Sequence, residues 1–223
     1  MKPVSINPFD ILGSMPAASQ IAFGAAAVYS AAGTIKSALC TAEAFNILGI
    51  AVDDNVEKTV DGFYAQYDAV PLITAGRCRV FITPNHATAA DILAGDYLDL
   101  AVLGSSNTKP VGVFEESGTK AGETRLTSSL ARALEDADLV DCQVPDAVTE
   151  GDTTVTLATG EMTTLDLSVG DYILLEDITE HVMINKVKAL TTTEITLEIA
   201  STVALDGSTD LVHKLVQCEV MLL

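Results

Sequence analysis

Short runs of alternating apolar and polar residues, punctuated by Gly-Asp, Asp-Gly and Asn-rich steps, recur along most of this chain. They restrict it to strands joined by tight turns. Arg77-Cys78-Arg79-Val80-Phe81-Ile82 places every second side chain on one face, the period of a half-buried strand. Residues 46–52 form a short apolar run that ends at the turn cluster Asp53-Asp54-Asn55. Asp61-Gly62 precedes Phe63–Tyr67, and Val70–Thr74 leads into an expected turn at Ala75-Gly76. Residues 97–103 and 110–114 add two more strands. Further along, 153–157, 172–175, 182–187, 194–199 and 215–223 continue the series, with turns at Gly151-Asp152, Gly170-Asp171 and Asp206-Gly207. Strands this short, at this spacing, argue for small barrels or sandwiches, an all-β fold.

Two segments depart from the strand pattern. Residues 126–137 carry Leu130, Leu134 and Ala137 at i, i+4, i+7 behind a possible cap at Thr127 or Ser128, which predicts a short helix. Residues 17–33 are dominated by Ala, Ser and Gly, which bury too little area to order a segment alone. The expected organisation is therefore an extended N-terminal arm (1–35), a first β module (36–124), a helical connector (125–144) and a second β module (145–223). A strand or helix inside the first module is the other reading of 17–33. Residues 91–100 (DILAGDYLDL) echo 166–175 (DLSVGDYILL), either as a trace of duplication or as a turn that barrels reuse.

Apolar residues make up 48% of the 223, so a core is available; with 5% aromatics and no Trp it must be built from Val, Ile, Leu and Ala. The net charge of −19 disfavours nucleic acid and anionic membrane as partners, since both demand a basic stripe. The charge is uneven. Residues 1–125 hold 8 basic and 13 acidic side chains, net −5, and residues 126–223 hold 4 and 18, net −14. The second half is expected to be the more solvated. Residues 11–35 are uncharged, but Pro16 interrupts them and Pro3, Pro8 and Asp10 make a poor leader, so a soluble, uncleaved chain is expected. Cys40, Cys78, Cys142 and Cys218 stand too far apart for a zinc ribbon or CxxC site and read as buried thiols.

Reactive constellations are not legible. His86, His181 and His213 are isolated, with no HExxH or HxH pairing. Ser14 in Gly13-Ser14-Met15 lacks the second glycine of a nucleophile elbow. Asp53, Asn55 and Glu57, with Asp61, offer oxygens to a cation, yet Lys58 stands where a calcium loop needs Gly and Tyr64 where it needs Glu. An acidic hairpin tip is the better reading of 53–61. Glu115-Glu116 and Glu176-Asp177 are adjacent acids that a strand would point to opposite faces, so neither pair converges for glycoside chemistry. No catalytic, cofactor-binding or metal-binding residue is assigned, no cofactor is expected, and a non-enzymatic role is the expectation.

Over residues 46–118 a familiar order emerges: Ile47-Leu48-Gly49-Ile50-Ala51, Asp61-Gly62-Phe63, Val70-Pro71-Leu72-Ile73, Gly76-Arg77-Cys78-Arg79-Val80, Ala94-Gly95-Asp96-Tyr97-Leu98 and Pro110-Val111-Gly112-Val113. It resembles the head-decoration (capsid cement) proteins of tailed viruses, small β-barrels in which such segments recur. The resemblance implies a virion protein on the outer capsid surface, often a homotrimer, that binds the major capsid protein and clamps neighbouring subunits. Simpler members of that family lack a second β module like 145–223. A secreted surface-layer or adhesion module that binds glycan or protein is the alternative, and a β-barrel hydrolase a third. The first needs a secretion signal and the second needs converging carboxylates.

Overall fold

A computed structural model of the chain describes residues 9–30, 33–37, 47–52, 62–83, 91–101, 112–117, 130–177 and 182–222. Its strands are β1 (Phe9–Pro16), β2 (Ile21–Ala22), β3 (Ala26–Tyr29), β4 (Ile35–Ser37), β5 (Ile47–Ala51), β6 (Phe63–Tyr64), β7 (Ala69–Ile82), β8 (Tyr97–Leu100), β9 (Phe114–Glu116) and β10 (Ala131–Ala133). They continue with β11 (Thr154–Thr156), helix α1 (Thr159–Leu165), β12 (Tyr172–Glu176), β13 (Val182–Leu190), β14 (Glu194–Leu197) and β15 (Leu211–Leu222). The fold is all-β.

Two long strands organise the rest. The second half of β7 pairs with β15 and, in parallel, with β9; β9 pairs with β8, β8 with β10, and β10 returns to β15. These five strands close a barrel. Closure leaves no open edge within the ring, and the period-two alternation sends one set of side chains inward. Val80, Ile82, Leu98, Leu100, Phe114, Ala131, Ala133, Cys218 and Val220 share one buried cluster. The first half of β7 pairs instead with β1 and β5, β5 with β3, and β3 with β4. A parallel bridge between Ala17 and Ile35 joins β4 back to the end of β1, completing a second ring. The first half of β15 pairs with β12, and β12, β13, β14 and β11 follow as an antiparallel sheet.

Three expectations change here. Ala75-Gly76 is not a hairpin turn: β7 continues through it without a break, with Gly76 at φ +93°. The two halves of β7 have different partners, and this bend redirects the strand from one ring to the other. Residues 130–144 are not a helix. Ala131 and Ala133 are buried inside the barrel between β8 and β15, so sheet pairing overrides the helical spacing of Leu130, Leu134 and Ala137. The short helix lies at α1 instead, where the Glu161 carboxylate accepts the Ala158 N–H at 2.9 Å. Finally, the described part of the expected arm is built into the protein's own sheet. Ala17, Ile21, Ala25, Ala26 and Ala27 are fully buried, since small side chains let β3 and neighbouring backbone approach closely. Gly112 shows how close: a Cβ there would lie 2.7 Å from Ala26 N, and nearer still to its carbonyl oxygen.

Candidate partner-binding surface

One turn recurs four times: Ala65-Gln66-Tyr67-Asp68, Leu93-Ala94-Gly95-Asp96, Thr149-Glu150-Gly151-Asp152 and Ser168-Val169-Gly170-Asp171. In each, the Asp N–H donates to the carbonyl of the first residue, and the Asp carboxylate accepts that residue's N–H at 2.8 to 2.9 Å. The third residue has positive φ in every copy. Its N–H donates to the carbonyl of a neighbouring residue, whose own N–H donates to the Asp carbonyl. Those neighbours are Ala17, Ala133, Ser201 and Val187. The sequence echo between 91–100 and 166–175 is thus a reused entry into a strand. Copies at 65–68 and 149–152 share it with different flanking residues.

The copies differ at the position that matters. Three have Gly at the positive φ; the fourth has Tyr67, at φ 73° and 74% exposed. A bulky side chain in the left-handed region costs energy that Gly would not. Tyr29, 58% exposed, pairs with Ile35 on β4, which bridges Ala17, which bonds to Tyr67. Both tyrosines therefore stand on one rim of the second ring. Pro16, Ser19, Gly33 and Gln66 are exposed beside them. Among rim residues 16–19, 29–30, 33–35 and 65–69, Asp68 is the one formal charge, and its carboxylate is occupied by the Ala65 N–H.

A second organised feature lies where the barrel meets the β11–β14 sheet. His213 Nε2 is 2.6 Å from Glu176 Oε2, and its Nδ1 is 3.2 Å from Thr83 Oγ1, all three side chains buried. Burial alone pulls an imidazole's pKa down, but hydrogen bonds and charge from Cys142 and Glu176 outweigh it, so the His213 pKa is raised. The cluster joins β12, β15, the segment at Cys142 and Thr83, the residue that follows β7. Phe81, Phe63 and Tyr172 pack on the same seam, with ring centroids 4.8 and 5.8 Å from Tyr172. A cleft of about 330 Å³ opens nearby, floored by Ala22, Phe63 and Ile184 and edged by Gln20, Ser37 and Thr202. Among the described residues that line it, none is titratable.

The expected candidates land as follows. Cys78, Cys142 and Cys218 are buried free thiols, with burial and then Glu219 pushing Cys78 up to about 12. Glu115 is buried and Glu116 half-buried; Glu176 is buried against His213. Cys40, His86, His181 and the acidic segment 53–61 lie outside the described residues. Among the described residues no group of three or more His, Cys, Asp or Glu side chains is placed to hold a metal ion. No helix among them is long and apolar enough to cross a membrane. Sequence reading missed the His213–Glu176 contact, because only the pairing of β12 with β15 brings residues so far apart together. It also missed the opposed buried acids Asp99 and Glu115 on β8 and β9. Nor did it see Tyr67, whose signal was the Asp at its turn's end in a position that elsewhere follows Gly.

Closed rings, shared strands and a polar seam sealed from solvent define an all-β barrel protein. The particular family follows from sequence: residues 4–132 match the phage family described as structural cement protein (E217 gp24/Pam3 gp6), and the chain belongs to it. It is thus a structural virion protein that associates with capsid proteins. None of the curated proteins matches its sequence.

Proposed function

We propose that the chain binds the outer surface of the capsid, contacts the major capsid protein, and stabilises the contacts between neighbouring shell subunits. The observation that carries this reading is how the family match divides the molecule. Residues 4–132 contain β1 to β9, most of both rings and the charge-poor rim, whereas most of the acidic charge lies beyond them. On this reading the first module (36–124), together with β1–β4, faces the shell. The second module (145–223) projects outward as a solvated knob, and like charge on neighbouring knobs keeps particles dispersed. No reactive step is assigned to the protein. Its contribution is binding energy spread over a surface, which raises the free energy needed to separate shell subunits.

Particles prepared without the chain provide the test. They are expected to rupture at lower temperature or under milder osmotic shock than complete particles, and purified protein added from outside is expected to restore them. Equal robustness of depleted and complete particles would count against the proposal.

A further inference from the structure

We propose that the outer face of the β8–β9 pair holds a calcium-class divalent cation between Asp99, Glu115 and Ser117. The inference stands on the isolated chain, and its failure would leave the capsid reading untouched.

The register sets three oxygen donors on one face. Asp99 lies directly opposite Glu115, and the Ser117 N–H donates to the Tyr97 carbonyl at 2.8 Å, so Ser117 stands one pair further along. Leu98, Leu100 and Phe114 belong to the cluster inside the barrel, which turns Asp99, Glu115 and Ser117 to its outside. They are not solvated there: Asp99 is 8% exposed, Glu115 6% and Ser117 9%. On the same face the next pair is Ala101 with Val113, and both belong to an apolar cluster with Phe81 and Ala25. Side chains opposed across a paired ladder lie about 5 Å apart at Cβ, and diagonal ones about 7 Å. A cation about 2.4 Å from each oxygen bridges both spans.

Two atoms on this face call for a ligand. Asp99 Oδ1 and Ser117 Oγ are buried without a hydrogen-bond partner, the two such side-chain atoms among the described residues. An unmet buried carboxylate costs more than an unmet neutral group, and a second acid directly across the ladder adds like-charge repulsion. Glu115 has an interaction of its own, so the demand falls on the other two. Arg132, paired with Tyr97, donates its Nε to the Gly95 carbonyl and lies 5.7 Å from the Tyr97 ring centroid. A divalent ion meets the demand: its charge offsets both carboxylates, and it takes the hydroxyl oxygen as a ligand. The donors are hard oxygens, with neither thiol nor imidazole among them, which selects calcium or magnesium over transition metals. Magnesium keeps several waters, and the apolar neighbours Ala101 and Val113 offer those waters no partners, so calcium is the better fit. Two carboxylates make a weak site, with Kd expected at about 10⁻⁴ to 10⁻³ M. Its place gives it an effect. β9 meets β7 at a single register pair, Ile82 with Phe114, so an ion tying β9 to β8 braces the barrel where its ladder is shortest.

Thermal unfolding of the full chain, stripped with chelator and dialysed, tests this with CaCl2 alone as the probe. CaCl2 at about 10 mM is expected to raise the wild-type midpoint by about 3–8 °C above NaCl of matched ionic strength, with a saturating dose response. The matched salt removes the general screening expected of a chain with net charge −19. Asp99→Asn should abolish the increment. Ser117→Ala should raise the half-saturating calcium concentration by about threefold or more, and it carries the test if the first variant does not fold. Glu150→Gln, which removes an exposed acid in the turn at 149–152, should keep the increment in full. A wild-type midpoint no higher in CaCl2 than in matched NaCl overturns the proposal. So does an increment that survives unchanged in both site variants, or one that Glu150→Gln removes.

Discussion

His213 and Glu176 form a buried pair whose energetics set a pH dependence. An unfolded histidine titrates near 6.5, and in the fold its pKa lies higher. Below 6.5 the imidazolium's stabilising contacts are present in full; as pH rises through the folded value the proton leaves and that stability is lost. Thermal melts between pH 6 and 10 should therefore show a falling midpoint, with a shallower fall in His213→Gln. Removing one member strands the other in the seam, so Glu176→Ala should cost about 3–5 kcal/mol in chemical denaturation. Two backbone positions give opposite expectations for the same kind of change. Gly112→Ala puts a methyl into the Ala26 backbone at φ +68°, and should cost more than about 2 kcal/mol or prevent folding. Tyr67→Gly relieves a left-handed side chain, and should be neutral or stabilising by up to about 1 kcal/mol, because the flexibility glycine adds to the unfolded chain offsets part of the relief. Denaturation midpoints of the two variants measured side by side check both.

At the scale of elements, the strands were legible wherever burial is one-sided. Arg77–Ile82 alternates because one face lines the barrel, and the strands expected at 172–175, 182–187 and 194–199 meet β12, β13 and β14, the last ending at Leu197. The segments that misled are those whose local chemistry suits two states. Ala131 and Ala133 fit a helix as well as a strand, and pairing with Leu98 and Leu222 on either side decided for the strand. Ala17 to Ala27 looked too small to order itself, yet small residues suit a place where backbones come close, as Gly112 against Ala26 shows. Ala75-Gly76 carries a turn's composition, but a bend inside a strand uses the same glycine freedom. No element of the candidate surface was legible as such: Tyr67 and Tyr29 are distant in sequence, and only the bridge from Ala17 to Ile35 sets them on one rim. The barrel interior supplies a direct check on the strand assignment. Phe114 is fully buried among β7, β8 and β10, so Phe114→Ala should cost about 3–5 kcal/mol, read from urea denaturation.

Across the whole molecule, β7 and β15 each belong to two substructures, and this governs how it comes apart. β15 pairs with β12 through Leu211–Leu215 and with β7 through Val216–Leu222, so neither the barrel nor the β11–β14 sheet keeps its own complement of strands without the other. Calorimetry of the purified chain should accordingly show one cooperative transition, where independently folded modules would give two. Such coupling suits a protein that carries force between neighbours, because load on one part is resisted by all of it. The central claim concerns where that part sits. Cryo-electron microscopy of purified particles locates it most directly: we expect density for both rings against the exterior of the shell, spanning neighbouring capsid subunits, with the acidic sheet outermost. Particles whose exterior lacks this density, or that carry the chain inside the shell, would contradict the account.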